Sequence, residues 1–236
     1  MLVGLTKYGR REWLLATIII AAGIWASIYL AMPNWYWSLV TVVPLAAVWL
    51  FVMYFFRDPD RLPPGPGGLF VSPADGRVSD ITLIGIDSPL GEPGVKIGVF
   101  MSVFDVHVNR APADASVEYI QHTPGAFMDV RDPLAFERNE SATVFLAYHV
   151  GGKEYPIVIR QVAGLIARRI VTDLVIDQPI RRGQRIGMIK FGSRVELMVP
   201  QALMPKVQVK IGDRVRAGES VLVSTGDGEA NAPEQP

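Results

Sequence analysis

The sequence predicts a mostly-β domain with few short helices, preceded by a two-helix apolar hairpin. Three observations lead to this class. From Trp13 to Phe56 no Asp, Glu, Lys or Arg occurs. Beyond that run, short β-branched stretches alternate with turn residues, the spacing of an all-β domain. Finally, no cysteine is present, which excludes thiol catalysis, disulfide stapling and thiolate metal sites.

The uncharged run comes first. One membrane span needs ~20 apolar residues, and this run is long enough for two. Met32-Pro33-Asn34 interrupts it, so helices are expected over 13–31 and 36–56, within an N-terminal hairpin of residues 1–56. Trp13, Trp35, Tyr36, Trp37, Tyr54, Phe55 and Phe56 lie near the helix ends, where an interfacial aromatic belt would put them. Pro44 is tolerable within the second helix. A cleaved signal peptide would have a shorter apolar core and no second run directly after it. Lys7, Arg10 and Arg11 precede the hairpin and Arg57 and Arg61 follow it, while the turn is uncharged. The positive-inside rule then sets both termini and the downstream domain on the cytoplasmic side of a cell membrane.

Residues 57–68 are rich in proline and glycine and read as a stiff linker. In the domain that follows, 69–225, strands are expected at 77–86, 95–108, 116–122, 143–150, 154–163, 184–189, 195–199 and 221–224. The stretch 163–171 suits either a strand or a helix. Two segments, Pro179-Ile-Arg-Arg-Gly-Gln-Arg-Ile-Gly187 and Val209-Lys-Ile-Gly-Asp-Arg-Val-Arg-Ala-Gly-Glu-Ser-Val221, resemble the hairpins of lipoyl- and biotinyl-type barrel sandwiches. Ser72-Pro-Ala-Asp-Gly-Arg-Val78 resembles the first strand of that architecture. The tail, 226–236, is small and polar and reads as disordered. A formal net charge of zero offers no field for nucleic acid, and three histidines make a histidine-rich metal site improbable.

Chemistry enters at Gly187-Met-Ile-Lys-Phe-Gly-Ser-Arg-Val-Glu-Leu-Met-Val-Pro200, where Gly192-Ser193 interrupts a strand pattern. A bulge explains that. So does self-cleavage: a serine hydroxyl held against the preceding carbonyl can attack it and shift the acyl group from nitrogen to oxygen. Glycine suits the acyl position because it has no side chain to block approach. Elimination from the ester leaves dehydroalanine, and hydrolysis leaves an N-terminal pyruvoyl group. Its ketone takes up an amine as a Schiff base and withdraws electrons. Alone, the dipeptide is a weak signal.

Its company is more specific. Ser72-Pro-Ala-Asp-Gly-Arg-Val78, Phe100-Met-Ser-Val-Phe-Asp-Val-His-Val-Asn-Arg-Ala-Pro112, His122-Thr-Pro-Gly-Ala-Phe127, Glu137-Arg-Asn-Glu140 and the Gly-Ser segment occur in that order. Together with Phe56-Arg-Asp-Pro59 and the hairpin, they resemble the phosphatidylserine decarboxylase family in its short, membrane-hairpin branch, over roughly residues 50–225.

The resemblance implies self-cleavage between Gly192 and Ser193, a β chain 1–192, and an α chain 193–236 beginning with a pyruvoyl group from Ser193. It implies phosphatidylserine as substrate, drawn from the membrane, with carbon dioxide and phosphatidylethanolamine as products; assembly into a higher oligomer stays open. Asp75 matches the aspartate of the family's Asp-His-Ser processing triad. Aligned on proline, His107 matches the histidine linked to decarboxylation, as proton donor. Arg110 stands where the triad histidine is expected, so the base for cleavage is left among Asp75, His107 and His122, with His107 favoured in both roles. Arg110, Arg138 and Arg194 are the candidate ligands of the lipid phosphate. His149 reads as structural. The rival from another class is a membrane-anchored lipoyl- or biotinyl-like carrier or adaptor without catalysis, with Lys190 in Met188-Ile-Lys-Phe191 as the modified residue. It accounts for neither Asp75 nor the His107–Pro112 segment.

Overall fold

The structure, a computed structural model, describes residues 4–30, 36–65, 67–126, 138–164, 169–190 and 193–226. The chain divides into two compact units, 1–60 and 61–236.

In the first unit β1 (Gly4–Leu5) pairs antiparallel with β2 (Arg57–Asp58). Between them run α1 (Arg10–Leu30) and α2 (Tyr36–Phe55). Helix α1 starts three residues before the expected Trp13 and takes Arg10, Arg11 and Glu12 into its first turn. The Met32-Pro33-Asn34 turn lies outside the described residues. Both helices are long and apolar enough to cross a membrane. Their apolar side chains, among them Ile18, Ile19, Trp25, Val43 and Leu50, are exposed rather than packed as in a soluble core helix. Contacts between the helices are partly polar. Trp49 Nε1 donates to Thr17 Oγ1 at 3.1 Å, and the Ser27 and Thr41 hydroxyls bond to each other. Interhelical hydrogen bonds of this kind join helices where apolar burial gives no preference for protein over lipid.

The second unit is built from β3 (Leu69–Val71), β4 (Gly76–Ile84), β5 (Gly94–Met101), β6 (Val108–Arg110), β7 (Ala115–Thr123), β8 (Ser141–Val150), β9 (Lys153–Ala163), β10 (Ile170–Thr172), β11 (Pro179–Ile180), β12 (Arg185–Ile189), β13 (Ser193–Pro200), β14 (Lys206–Val207), β15 (Arg214–Val215) and β16 (Val221–Ser224). Among the described residues the main sheet is antiparallel, in the order β11-β7-β8-β9-β13-β5-β4-β15. Two three-stranded sheets, β10-β12-β6 and β14-β16-β3, complete it. The mostly-β class is therefore the observed one, and among the described residues long helices are confined to the N-terminus.

Two expectations change. The run 95–108 is not one strand. Asp105 breaks it by accepting from the Ser102 amide at 2.9 Å and the Ser102 hydroxyl at 2.8 Å, which closes a turn. The chain leaves β5 there and resumes as β6 in another sheet. Nor are 179–187 and 209–221 self-paired hairpins. Both contain the expected tight turns, closed by Gln184 N–H to Arg181 O (2.9 Å) and Asp213 N–H to Lys210 O (3.1 Å). Their strands nevertheless go to separate partners: β11 to β7, β12 to β6 and β10, β15 to β4, and β16 to β14 and β3.

Strand β13 is buried along its whole length, between β9 and β5. Because successive side chains point to opposite faces of a sheet, it serves two interiors. Val195, Leu197 and Val199 enter the main core with Ile97, Val99, Met101, Ile157 and Ile159. Met198 packs with Leu90 and Val158 on the other side.

Candidate active site

Ser193 opens β13, with Met101 of β5 and Ala163 of β9 as its cross-strand partners. It is fully buried. It shares the face of Val195 and Leu197, and its hydroxyl donates to the Met101 thioether at 3.4 Å. Sulfur is a weak acceptor, so the hydroxyl is directed without being tightly held. Gly192 lies outside the described residues, and so does Phe191.

His107 precedes β6 and is fully buried. Its carbonyl faces the Ile189 amide at 3.4 Å, so it borders the strand that leads to Ser193. The ring is oriented by the turn that broke the expected strand. Nδ1 lies 2.9 Å from the Asp105 carbonyl oxygen, which can only accept, so Nδ1 carries the hydrogen. In the neutral ring, Nε2 is then the proton-accepting nitrogen.

Asp75 is buried in the corner between β3 and β4. The strands on either side of this corner go to different partners: β4 pairs with β5 and β15, while β3 pairs with β16. Gly76 is required at this corner because a Cβ would stand 1.9 Å from the Phe100 carbonyl oxygen. The Asp75 carboxylate receives both terminal nitrogens of Arg61, one at 2.8 Å to Oδ2, and the Ala217 amide at 2.8 Å to Oδ1. Arg61 also donates to the Ala217 carbonyl at 2.7 Å. Residues of the linker, the Asp75 corner and the last part of the chain are thus tied in one cluster.

The three arginines expected at a phosphate are placed differently. Arg194 follows Ser193 by one residue and so points to the opposite face of β13. There it is buried in an ion-pair network: Nη2 to Asp80 Oδ2 at 2.8 Å, Nη2 to Glu196 Oε1 at 2.9 Å, and Nη1 to the Ser79 hydroxyl at 3.0 Å. Lys96 and Arg160 approach Glu196 at 3.7 and 3.9 Å. Gly98 leaves the room, since a Cβ there would meet Arg194 and Asp80 at 2.4 Å. Arg194, grouped above with the candidate phosphate ligands, is thus buried among carboxylates on the face opposite Ser193. Burial works to raise the Asp80 carboxyl, but the hydrogen bond and charge of Arg194, with Ser79 and Lys96, hold it below its ordinary value. Arg110 is also buried, with Nη1 donating to the Gly183 carbonyl at 2.9 Å. Arg138 is exposed, beside the undescribed segment 127–137.

The remaining candidates are peripheral. His122 pairs with Glu140 at 2.9 Å and is largely exposed. His149 pairs with Glu154 at 3.0 Å on the surface, as a structural residue would. Lys190 is buried, which denies a carrier-modifying enzyme access to it. Sequence reasoning missed Met101, Asp105 and Arg61. None of these has a local signal, because each acts on a residue brought near by sheet pairing or a turn.

Known proteins supply the last observation. A model of the phosphatidylserine decarboxylase family matches residues 48–223. The phosphatidylserine decarboxylase proenzyme of Pelobacter propionicus is 46% identical over 177 residues, covering 75% of this chain and 78% of that one. Those of Symbiobacterium thermophilum and Chlorobium luteolum are 42% and 38% identical, covering 79% and 92% of this chain and 84% and 98% of theirs. The match runs through the Asp75 corner, the His107 turn and Ser193 alike. The chain belongs to the phosphatidylserine decarboxylase family, a family of decarboxylating lyases, and not to the carriers.

Proposed function

We propose that this chain is a membrane-bound proenzyme that cuts itself between Gly192 and Ser193 and then decarboxylates phosphatidylserine to phosphatidylethanolamine. The observation that carries the reading is the seat of Ser193, a buried nucleophile at the start of a central strand, directed onto a weak acceptor.

Ser193 Oγ attacks the Gly192 carbonyl carbon, and the bond from that carbon to the Ser193 nitrogen breaks as the nitrogen takes a proton. Base assistance is assigned to His107, whose Asp105 contact leaves Nε2 to accept the proton. Asp75, clamped by Arg61 and the Ala217 amide, fixes the corner beside β5 and acts as an orienting charge. The seat fits the group that the family implies. A pyruvoyl at position 193 would lie among Met101 and Ala163, in a dry apolar setting that protects a ketone from competing water. When formed, it supplies an electron-withdrawing carbonyl to an amine-bearing substrate.

During turnover His107 returns a proton to the substrate carbon that lost carbon dioxide. Arg138, exposed where Arg110 and Arg194 are buried, is the cation assigned to the lipid phosphate. Helices α1 and α2 anchor the chain in the bilayer that holds the substrate, with the second unit on the cytoplasmic side. Tethering raises the effective concentration of a lipid that never leaves the membrane.

A denaturing gel with mass spectrometry of the small fragment tests the reading. The purified protein should run as pieces of 192 and 44 residues (236 − 192), the smaller blocked by a pyruvoyl group. Ser193→Ala should stay whole and inactive, and His107→Ala should lose decarboxylation. An uncut chain that still releases carbon dioxide from phosphatidylserine would overturn it.

A further inference from the structure

Among the described residues, a chain of buried polar side chains runs through the core behind Ser193. Gln161 lies on β9 two residues before Ala163, the cross-strand partner of Ser193, and so on the same face. It is fully buried, and its amide bridges two strands of the β10-β12-β6 sheet. Thr172 Oγ1 donates to Gln161 Oε1 at 3.1 Å, and Gln161 Nε2 donates to Asn109 Oδ1 at 2.8 Å. Asn109 and Thr172 flank Gly187 in register, which sets the span that Gln161 bridges. Asn109 is fully buried too, and its Nδ2 is directed at the Met101 sulfur, 3.8 Å away. That sulfur also receives the Ser193 hydroxyl.

Two features make this more than packing. A thioether is a poor partner for an amide N–H, and a buried donor that lacks a strong acceptor is destabilising. Such a donor in a core calls for a reason beyond stability. The relay also has a direction. Sulfur accepts but offers no proton, so Asn109 must present its NH2 there, and Gln161 and Thr172 hold it that way round.

We propose that Asn109, locked by Gln161 and Thr172, is a positioning residue for self-cleavage, acting with the Met101 sulfur to seat the Ser193 hydroxyl. The weak sulfur contact directs the hydroxyl yet releases it readily to the base. This inference rests on Ser193 being the cleavage nucleophile. It also confines the role in time. Elimination breaks the Ser193 Cβ–Oγ bond with loss of the Cα proton, and Oγ departs in the new Gly192 carboxylate. Water then replaces the nitrogen, which leaves as ammonia. Once Oγ is gone, nothing remains on the sulfur for Asn109 to position.

The test is a time course of cutting on denaturing gels, with full-length chains made in a cell-free system containing lipid nanodiscs. Asn109→Leu, which keeps bulk but removes the donor, should cut at least about tenfold more slowly, the loss of roughly one hydrogen bond. Asn109→Asp should be slowed as well, because a carboxylate has no N–H to direct at the Met101 sulfur that seats the Ser193 hydroxyl. Gln161→Glu should be slowed as well, although it is one residue removed, because it cannot donate to Asn109 Oδ1 and so frees that amide to flip. In each case cutting should fall further than turnover per pyruvoyl group in the matured fraction. Equal losses in both would mark a merely structural role and overturn the inference, as would normal cutting in these variants. Should Asn109→Leu fail to fold, the isosteric Asn109→Asp and Gln161→Glu decide alone. Ser193→Ala separates the two levels. If it is still cut, the nucleophile assignment fails; if it is uncut while the others cut normally, only the relay fails.

Discussion

Ser193 and Arg194 are bonded neighbours with unrelated tasks, because a strand sends consecutive side chains to opposite faces. The serine looks into the main core and the arginine into a buried cluster with Asp80 and Glu196. Removing Arg194 leaves the buried Glu196 with only the longer Lys96 and Arg160 contacts, so Arg194→Met should destabilise the fold by about 3 kcal/mol in denaturant titrations. The same cluster sets a pH limit. Asp80 is held below its ordinary value of 3.8, so its stabilising contribution is complete above that value. It is lost as the pH falls from there through the depressed folded value. Acid titration of stability should therefore be steeper below about pH 4 in the native chain than in Arg194→Met.

At the scale of elements, the decisive features are the two places where strands end early. The Ser102–Asp105 turn removes His107 from β5 and fixes its ring through the Asp105 carbonyl. The Asp75-Gly76 corner starts β4 so close to β5 that only glycine fits against the Phe100 carbonyl. A side chain there would have to push backbone rather than a flexible tip. Gly76→Ala should cost about 1–3 kcal/mol by denaturant unfolding, a clash of the overpacking type. These corners were partly legible. The strand runs could be read from their alternation, because each face of a sheet imposes period 2 on its own strand. Where a strand stops was harder to read, because Asp105 acts through a three-residue hydrogen bond within an otherwise continuous β-branched run.

At the scale of the whole molecule, the chain forms two units, and in the proposed function the first holds it at a lipid surface while the second does the chemistry. Helices α1 and α2 expose apolar side chains on most of their surface, which water would penalise and a bilayer would cover. The full-length protein should accordingly stay with the membrane pellet after alkaline carbonate extraction. Protease added outside sealed, right-side-out vesicles should leave the second unit intact. Release by carbonate would show that the hairpin lies on the bilayer rather than across it.

By itself the sequence determined the apolar hairpin, the mostly-β character, and the order of segments that marks the family. All of these are written in local composition and in spacing along the chain. Only the tertiary structure decided which strands pair across the two expected hairpins, and that Arg110 and Arg194 are buried while Arg138 is exposed. It alone brought Arg61 to Asp75, Gln161 to Asn109, and Asn109 to the sulfur behind Ser193. The separations run from 8 positions between Met101 and Asn109 to 92 between Met101 and Ser193, and pairing between distant strands is set by the packing of whole faces, which no single window of sequence contains.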